Sequence, residues 1–136
     1  MRRYLLDTGI VGDYLHRRRG VYQRAREESA KGNRIGIAVS VLMELWYGVE
    51  MSATRDRNEE ILKRGLSDFT VWPLDREAAE EFGRLRAALA RMGRPMQVPD
   101  IMIAAVALSL GKTTVVSSDS DLRAVPGLDV EDWMPG

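Results

Sequence analysis

The chain has no cysteine and a single histidine, His16. Disulfides and thiolate metal sites are therefore ruled out, and so is a histidine-rich zinc site. Any metal would have to be held by oxygen ligands, which favours Mg²⁺ or Mn²⁺ over zinc. Long apolar runs are missing too: no stretch reaches the roughly 18–20 residues needed to span a bilayer. Asp7 interrupts the apolar start MRRYLLDTGIV too early for a signal peptide, so a cytoplasmic protein is expected. There is also no net charge, with 20 basic and 20 acidic residues, which argues against bulk electrostatic capture of nucleic acid.

The charges that exist are unevenly spread. Residues 1–34 hold nine basic and four acidic side chains, whereas residues 99–136 hold two basic and six acidic ones. Seventeen of the twenty basic residues are arginine, the type suited to bidentate phosphate contacts, so a basic rim near an acidic site is compatible with neutrality. With 136 residues, 45% of them hydrophobic, a single domain over 1–136 can bury a full core.

Short apolar strands alternate with helical stretches. YLLD (4–7) reads as a buried strand, followed by helical sequence to about residue 31 and a turn at Lys31-Gly32-Asn33. RIGIAVS (34–40) reads as a strand, and VLMELWYGVEM (41–51) as a helix capped by Ser40. A charged helix (55–68), a short edge strand TVWPL (70–74) and a helix over 75–92 follow. In that last helix Ala78, Phe82, Leu85, Leu89 and Met92 form one stripe. Gly93-Arg94-Pro95 ends it, a core helix runs from about Asp100 to Leu110, and TTVVS (113–117) returns as a strand. This alternation predicts an α/β fold with a mainly parallel sheet between two helix layers.

Sheets of this kind bind ligands at the carboxyl ends of their strands. Asp7 ends the first strand, Glu44 follows the second, Asp119 follows TTVVS, and Asp100 starts the core helix, so four acids are expected at one end. Singly, Asp100 reads as a helix cap, and Asp119 and Asp121 as turn or cap residues before a short helix at 119–124. Glu44 has large, mostly apolar neighbours, so a solvated-face reading and a functional one stand about even. Two carboxylates about 4 Å apart repel by roughly 4 kcal/mol at an effective dielectric near 20. Four together need protons or a cation, and a hard divalent ion would equip them to hydrolyse a phosphodiester.

Rival motifs fit less well. LLDTG resembles the signature of retroviral-type aspartic proteases, but that fold is all-β and this chain is helix-rich. A receiver-like domain needs a lysine at a late strand end, whereas Lys112 starts its strand. A dinucleotide fold needs a glycine-rich turn after the first strand, which is missing.

LLDTGIV, MELWYG, PDIMIAAVAL and VVSSDSDL together resemble, in order and spacing, the PIN-domain ribonucleases. The ending RAVPGLDVEDW resembles the VapC-type toxins of that family. The resemblance implies a three-layer α/β/α sandwich and a Mg²⁺- or Mn²⁺-dependent endoribonuclease leaving a 5′-phosphate and a 3′-hydroxyl. It also implies a homodimer, and a cognate antitoxin whose C-terminal segment blocks the site. By motif position it assigns Asp7, Glu44, Asp100 and Asp119 as the catalytic and metal-binding acids, with Thr8, Ser117 and Asp121 in support. Gly9 departs from the polar residue common there, and the spacing of VVSSDSDL leaves the roles of Asp119 and Asp121 to be divided, with Asp119 favoured. The alternative is a catalytically silent PIN-like RNA- or protein-binding module, which the retention of all four acids disfavours.

Arg17, Arg18 and Arg19, with Arg24 and Arg26, are candidates for RNA phosphate contacts or a solvated helix end. His16 is expected on the surface. Trp46 and Tyr47 are expected in the core or a dimer interface, with base stacking as the other option.

Overall fold

The computed structural model describes residues 1–134. Five strands form one sheet: β1 (Arg3–Leu6), β2 (Arg34–Ala38), β3 (Thr70–Trp72), β4 (Thr113–Val116) and β5 (Asp129–Glu131). Seven helices connect them: α1 (Thr8–Leu15), α2 (Val21–Ala30), α3 (Val39–Met51), α4 (Arg55–Gly65), α5 (Arg76–Arg91), α6 (Val98–Leu110) and α7 (Ser120–Arg123). The strand order is β3-β2-β1-β4-β5 and every neighbouring pair is parallel.

Parallel strands need crossovers, and right-handed crossovers fix which face each helix covers. Winding from β1 through β2 to β3 puts α1–α4 on one face; returning to β4 puts α5 and α6 on the other. Accordingly α1 packs against α2, α3 and α4, while α5 packs along α6. The three-layer α/β/α arrangement read from the sequence is therefore present, with a sheet that is parallel throughout. β1, in the middle, is buried from Tyr4 to Leu6, and β4 is buried along its whole length. α6 lies between the sheet and α5 and buries Ile101, Ile103, Ala104, Ala105, Val106 and Ala107, which explains why its sequence is apolar on almost every side.

Several boundaries differ from the sequence reading. The helical stretch after β1 is two helices, because Arg17, Arg19 and Gly20 all take positive φ and turn the chain. β5 was not expected; it is three residues long and only partly buried, so it has little periodicity to read. Met92 is exposed and falls just past α5, so only the Ala78–Leu89 part of that stripe faces the core.

Where β2 meets the edge strand β3, the two backbones approach closely at Gly36. A Cβ there would collide with the Thr70 carbonyl and lie 2.7 Å from Trp72 Cζ3. Gly36→Ala is therefore expected to destabilise the fold by about 1–3 kcal/mol or more, as overpacking does, measured as a shift in the urea unfolding midpoint.

Candidate active site

β1 leads on one side to β2 and β3, and the chain then returns to the other side to form β4 and β5. The strand order thus reverses between β1 and β4, the switch point at which such sheets place their sites. Residues just past these strand ends are neighbours: Leu6 pairs with Val116, so Asp7 and Ser117 come next side by side.

Asp7 is the N-cap of α1. Its Oδ1 accepts from the Ile10 amide at 2.9 Å, and its Oδ2 accepts from the Ser117 hydroxyl. Ser117 is fully buried, and its Oγ in turn accepts from the Asp119 amide at 3.0 Å. Asp119 caps α7 by accepting from the Asp121 amide at 2.9 Å. A chain of hydrogen bonds thus runs from Asp7 through Ser117 to Asp119 and locks the two strand ends together.

Asp100 and Glu44 approach from helices. Asp100 sits in the first turn of α6 behind Pro99, where the helix dipole favours a carboxylate. It is not the cap: that position is Gln97, whose side chain makes no capping bond. Ser40 is likewise not the cap of α3. Ala38 holds that position and Ser40 lies inside the first turn. The two expected caps fail for one reason: each helix starts a few residues earlier than its polar residue suggests. Glu44 takes the solvated of its two readings: it is exposed, and so are the apolar Met43 and Tyr47 near it on α3.

Asp7, Thr8, Gly9, Glu44, Gln97, Pro99, Asp100 and Ile103 line a cleft of about 300 Å³. Asp119 does not line it but acts on it electrostatically. Burial pushes the Asp100 carboxyl above the usual range, and Asp119, Asp7, Glu44 and Asp121 push it further. Burial also raises Asp7; the bonds from Ser117 and Ile10 pull it partly back, and Asp119 and Asp13 add to the rise. No basic side chain among the described residues pairs with Asp7, Glu44, Asp100, Asp119 or Asp121. The cleft is therefore an uncompensated concentration of negative charge.

The PIN domain family model matches residues 4–128. The chain belongs to the PIN-domain family. Its relatives include the tRNA(fMet)-specific endonuclease VapC of Shigella flexneri, 35% identical over 133 residues that cover 98% of this chain and 99% of the relative. Among solved structures, this PIN domain resembles DNA-bound VapBC from Salmonella typhimurium, with a TM-score of 0.89, 32% identity and coverage of 98% and 99% of the two chains. It also resembles VapBC2 from Rickettsia felis bound to a promoter DNA fragment, with a TM-score of 0.90, 28% identity and coverage of 96% and 98%.

The donor set of the PIN-domain cleft suits a hard divalent cation: it is all oxygen, crowded and without a counter-charge. Among the described residues, however, no group of three or more acidic or histidine side chains stands ready to hold a metal ion. Mg²⁺ commonly keeps several of its waters, so one or two carboxylates can bind directly and the rest through water.

The remaining candidates lie elsewhere. Arg17–Arg19 follow the far end of α1, about 12 Å along the helix from Asp7 at 1.5 Å per residue. Arg17 stacks on Tyr22, Arg18 pairs with Asp13 at 3.2 Å, and Arg19 reaches the Met134 sulfur. Arg24 bonds Glu28 and Glu131, so it fastens β5 to α2, while Arg26 lies over Tyr22. His16 is exposed at the end of α1. Trp46 is half-buried with Lys63 over its ring, but Tyr47 is 68% exposed and so is not core. Two cleft residues escaped the sequence reading. Ile103 lies in a motif read only for its acid and its apolar run, and Gln97 lies just before that motif.

Proposed function

We propose that this PIN domain is an endoribonuclease dependent on Mg²⁺ or Mn²⁺, with Asp7, Glu44, Asp100 and Asp119 holding the ion directly or through water. That the chain is an RNA-cleaving hydrolase, the toxin of a type II toxin–antitoxin pair, rests on its kinship with the VapC ribonucleases and its likeness to VapBC complexes. The observation that carries the metal assignment is that Asp7, Glu44 and Asp100 line one cleft at the switch point of the sheet, with Asp119 near enough to act on it and no described basic group paired with any of the four.

When bound, such an ion neutralises charge building on the scissile phosphate and makes a bound water acidic enough to attack it. The protein's part is orientation. Ser117 and the Ile10 amide fix both oxygens of Asp7, so this ligand is set before RNA arrives. Asp100 is fixed by a buried helix, and Glu44 supplies the opposite wall from α3. Thr8 lines the cleft and offers a hydroxyl to a phosphate oxygen or a water. Neither Asp119 nor Asp121 lines the cleft and both act on Asp100, but Asp119 is half-buried and joined to Asp7 through Ser117, so it is taken as the fourth acid and the exposed Asp121 as a source of field.

The initiator transfer RNA named for the Shigella relative is the first substrate to try. A protein acting on cellular RNA belongs in the cytoplasm, and no helix among the described residues is long and apolar enough to cross a membrane. Met43, Tyr47 and Met51 form an exposed apolar stripe along α3, which supports a homodimer. Arg17–Arg19 are left to contact RNA, if at all, well away from the cleft. RNA incubated with the purified chain should be cut with Mg²⁺ or Mn²⁺ present and left intact with a chelator. Cutting that persists in the chelator would remove the metal from the mechanism, and metal binding without cutting would favour the silent module.

A further inference from the structure

α1, α2 and α4 enclose a second cavity, of about 420 Å³, on the helix layer that covers one face of the sheet. Its wall is as basic as the cleft is acidic. Arg17 past the end of α1, Arg26 on α2 and Arg57 on α4 line it, and none of the three pairs with a carboxylate among the described residues. A fourth arginine, Arg64, is matched by Glu60 at 2.6 Å, which leaves Asp68 as the one other carboxylate on the wall. Three like charges around one cavity repel, and an anion seated among them removes that cost.

The arginines are also arranged to grip. Arg17 stacks on the Tyr22 ring at 3.5 Å, and Arg26 lies over the same ring at 5.9 Å. Stacking fixes a guanidinium plane and leaves its N–H edge free, the edge that takes a phosphate in a two-bond fork. Tyr14 lines the cavity as well. It is only 9% exposed, yet its hydroxyl has no hydrogen-bond partner among the described residues and is not closed off from solvent. Burial, with Tyr22 and Asp68 adding to it, holds this phenol above its usual value, so it stays a donor.

The chain's substrate carries such anions. No basic side chain lines the acidic cleft, so the RNA phosphates on either side of the cut have to be held elsewhere. Arg17 lies past the end of α1, about 12 Å along that helix from Asp7, within reach of the same RNA strand. We propose that this cavity is a phosphate-binding subsite for the RNA substrate, in which Arg17, Arg26 and Arg57 hold the backbone and Tyr14 donates to it. The inference rests on the RNA-cleaving reading of the chain and not on the metal.

The test is binding of a labelled transfer RNA to the full chain, in a chelator and over a series of salt concentrations, with cleavage in Mn²⁺ followed alongside. The chains compared are the parent, Arg26→Ala, Arg57→Ala and Arg86→Ala. The two cavity variants should each bind RNA roughly tenfold more weakly at low salt, as the loss of a charged hydrogen bond does. Each should also reduce the slope of log affinity against log salt by about 0.7–0.9. Arg86 is exposed and unpaired with any described acid, but lies on α5 in the opposite helix layer, so its variant should match the parent. Unchanged affinity and slope in both cavity variants, or an equal loss in Arg86→Ala, would overturn the subsite, while cleavage by the parent would leave the function standing. Weaker inhibition by the antitoxin with no loss of RNA affinity would give the cavity to a protein partner and overturn it too. A parent that neither binds nor cuts RNA would overturn the RNA reading, and the subsite with it.

Discussion

Asp7→Asn is expected to cut RNA roughly 10³-fold more slowly than the parent, or worse, a loss of about 4 kcal/mol in barrier terms, while melting no lower. The two halves of this result have separate causes. Activity falls because the substitution removes the charge of the best-ordered carboxylate in the cleft. Stability holds because the capping role does not need that charge. The asparagine oxygen still accepts from the Ile10 amide, and asparagine is as good an N-cap as aspartate. Its amide can donate to Ser117 Oγ in place of the hydroxyl's donation to the carboxylate. Burial already disfavours the Asp7 charge, and Asp119 and Asp13 add repulsion, so neutralising it relieves the fold. Rates from a labelled RNA, together with thermal melts, check both halves. Retention of cleavage within tenfold of the parent would show that the centre lies elsewhere.

The second large effect is a pH dependence of stability that the bound metal removes. Asp7 and Asp100 both have carboxyls raised above the ordinary value of 3.8. The folded chain then holds more protons than the unfolded one as pH climbs past that value. Their contribution to stability is complete below it and is lost as pH rises through the raised folded values. At the acid end Glu28 acts in the opposite sense. It is buried, and its bonds from Arg24 and Asn33 hold it low against the cost of burial; its contribution is lost as pH falls through that lowered value. Without metal, the melting temperature should therefore be highest in mildly acidic buffer and fall toward pH 8. With Mn²⁺ at about 100 times its dissociation constant, binding adds roughly 2.7 kcal/mol, on the order of 10 °C for a domain of this size. Protons compete with the ion for the same oxygens, so this gain should grow as pH rises. Melts from pH 5 to 8 should fall with pH without Mn²⁺ and stay nearly level with it, because the unfolded carboxylates have already lost their protons over this range and the metal-bound ones hold none. Parallel curves would mean that the ion does not bind at Asp7 and Asp100.

The acids themselves were legible in the sequence, because strand ends are marked by abrupt changes from apolar to polar residues and the topology brings those ends together. Which residues cap helices was legible only in part. Asp119 was read as a cap and is one, but capping was also read at Asp100 and Ser40, which are not caps, and the cap made by Asp7 went unread. The difference is one of two or three residues in where each helix begins, which propensity does not resolve. The exposure of Glu44 stayed open because apolar neighbours such as Met43 and Tyr47 suggest burial, yet they are exposed on α3 as well. β5 and the break after α1 stayed hidden for another reason. The strand is too short to show alternation, and the break depends on positive φ at two arginines, a residue type that carries no such signal.

The bond between Ser117 and Asp7 joins residues 110 positions apart. It ties the proposed cleft to the order of protein synthesis. Asp7 leaves the ribosome well before β4, so β1 must wait for its second neighbour, and Asp119 comes later still. A nascent chain thus carries the first acid of the cleft without the last, and connectivity alone keeps the cleft incomplete until the segment from Thr113 to Asp119 has been made.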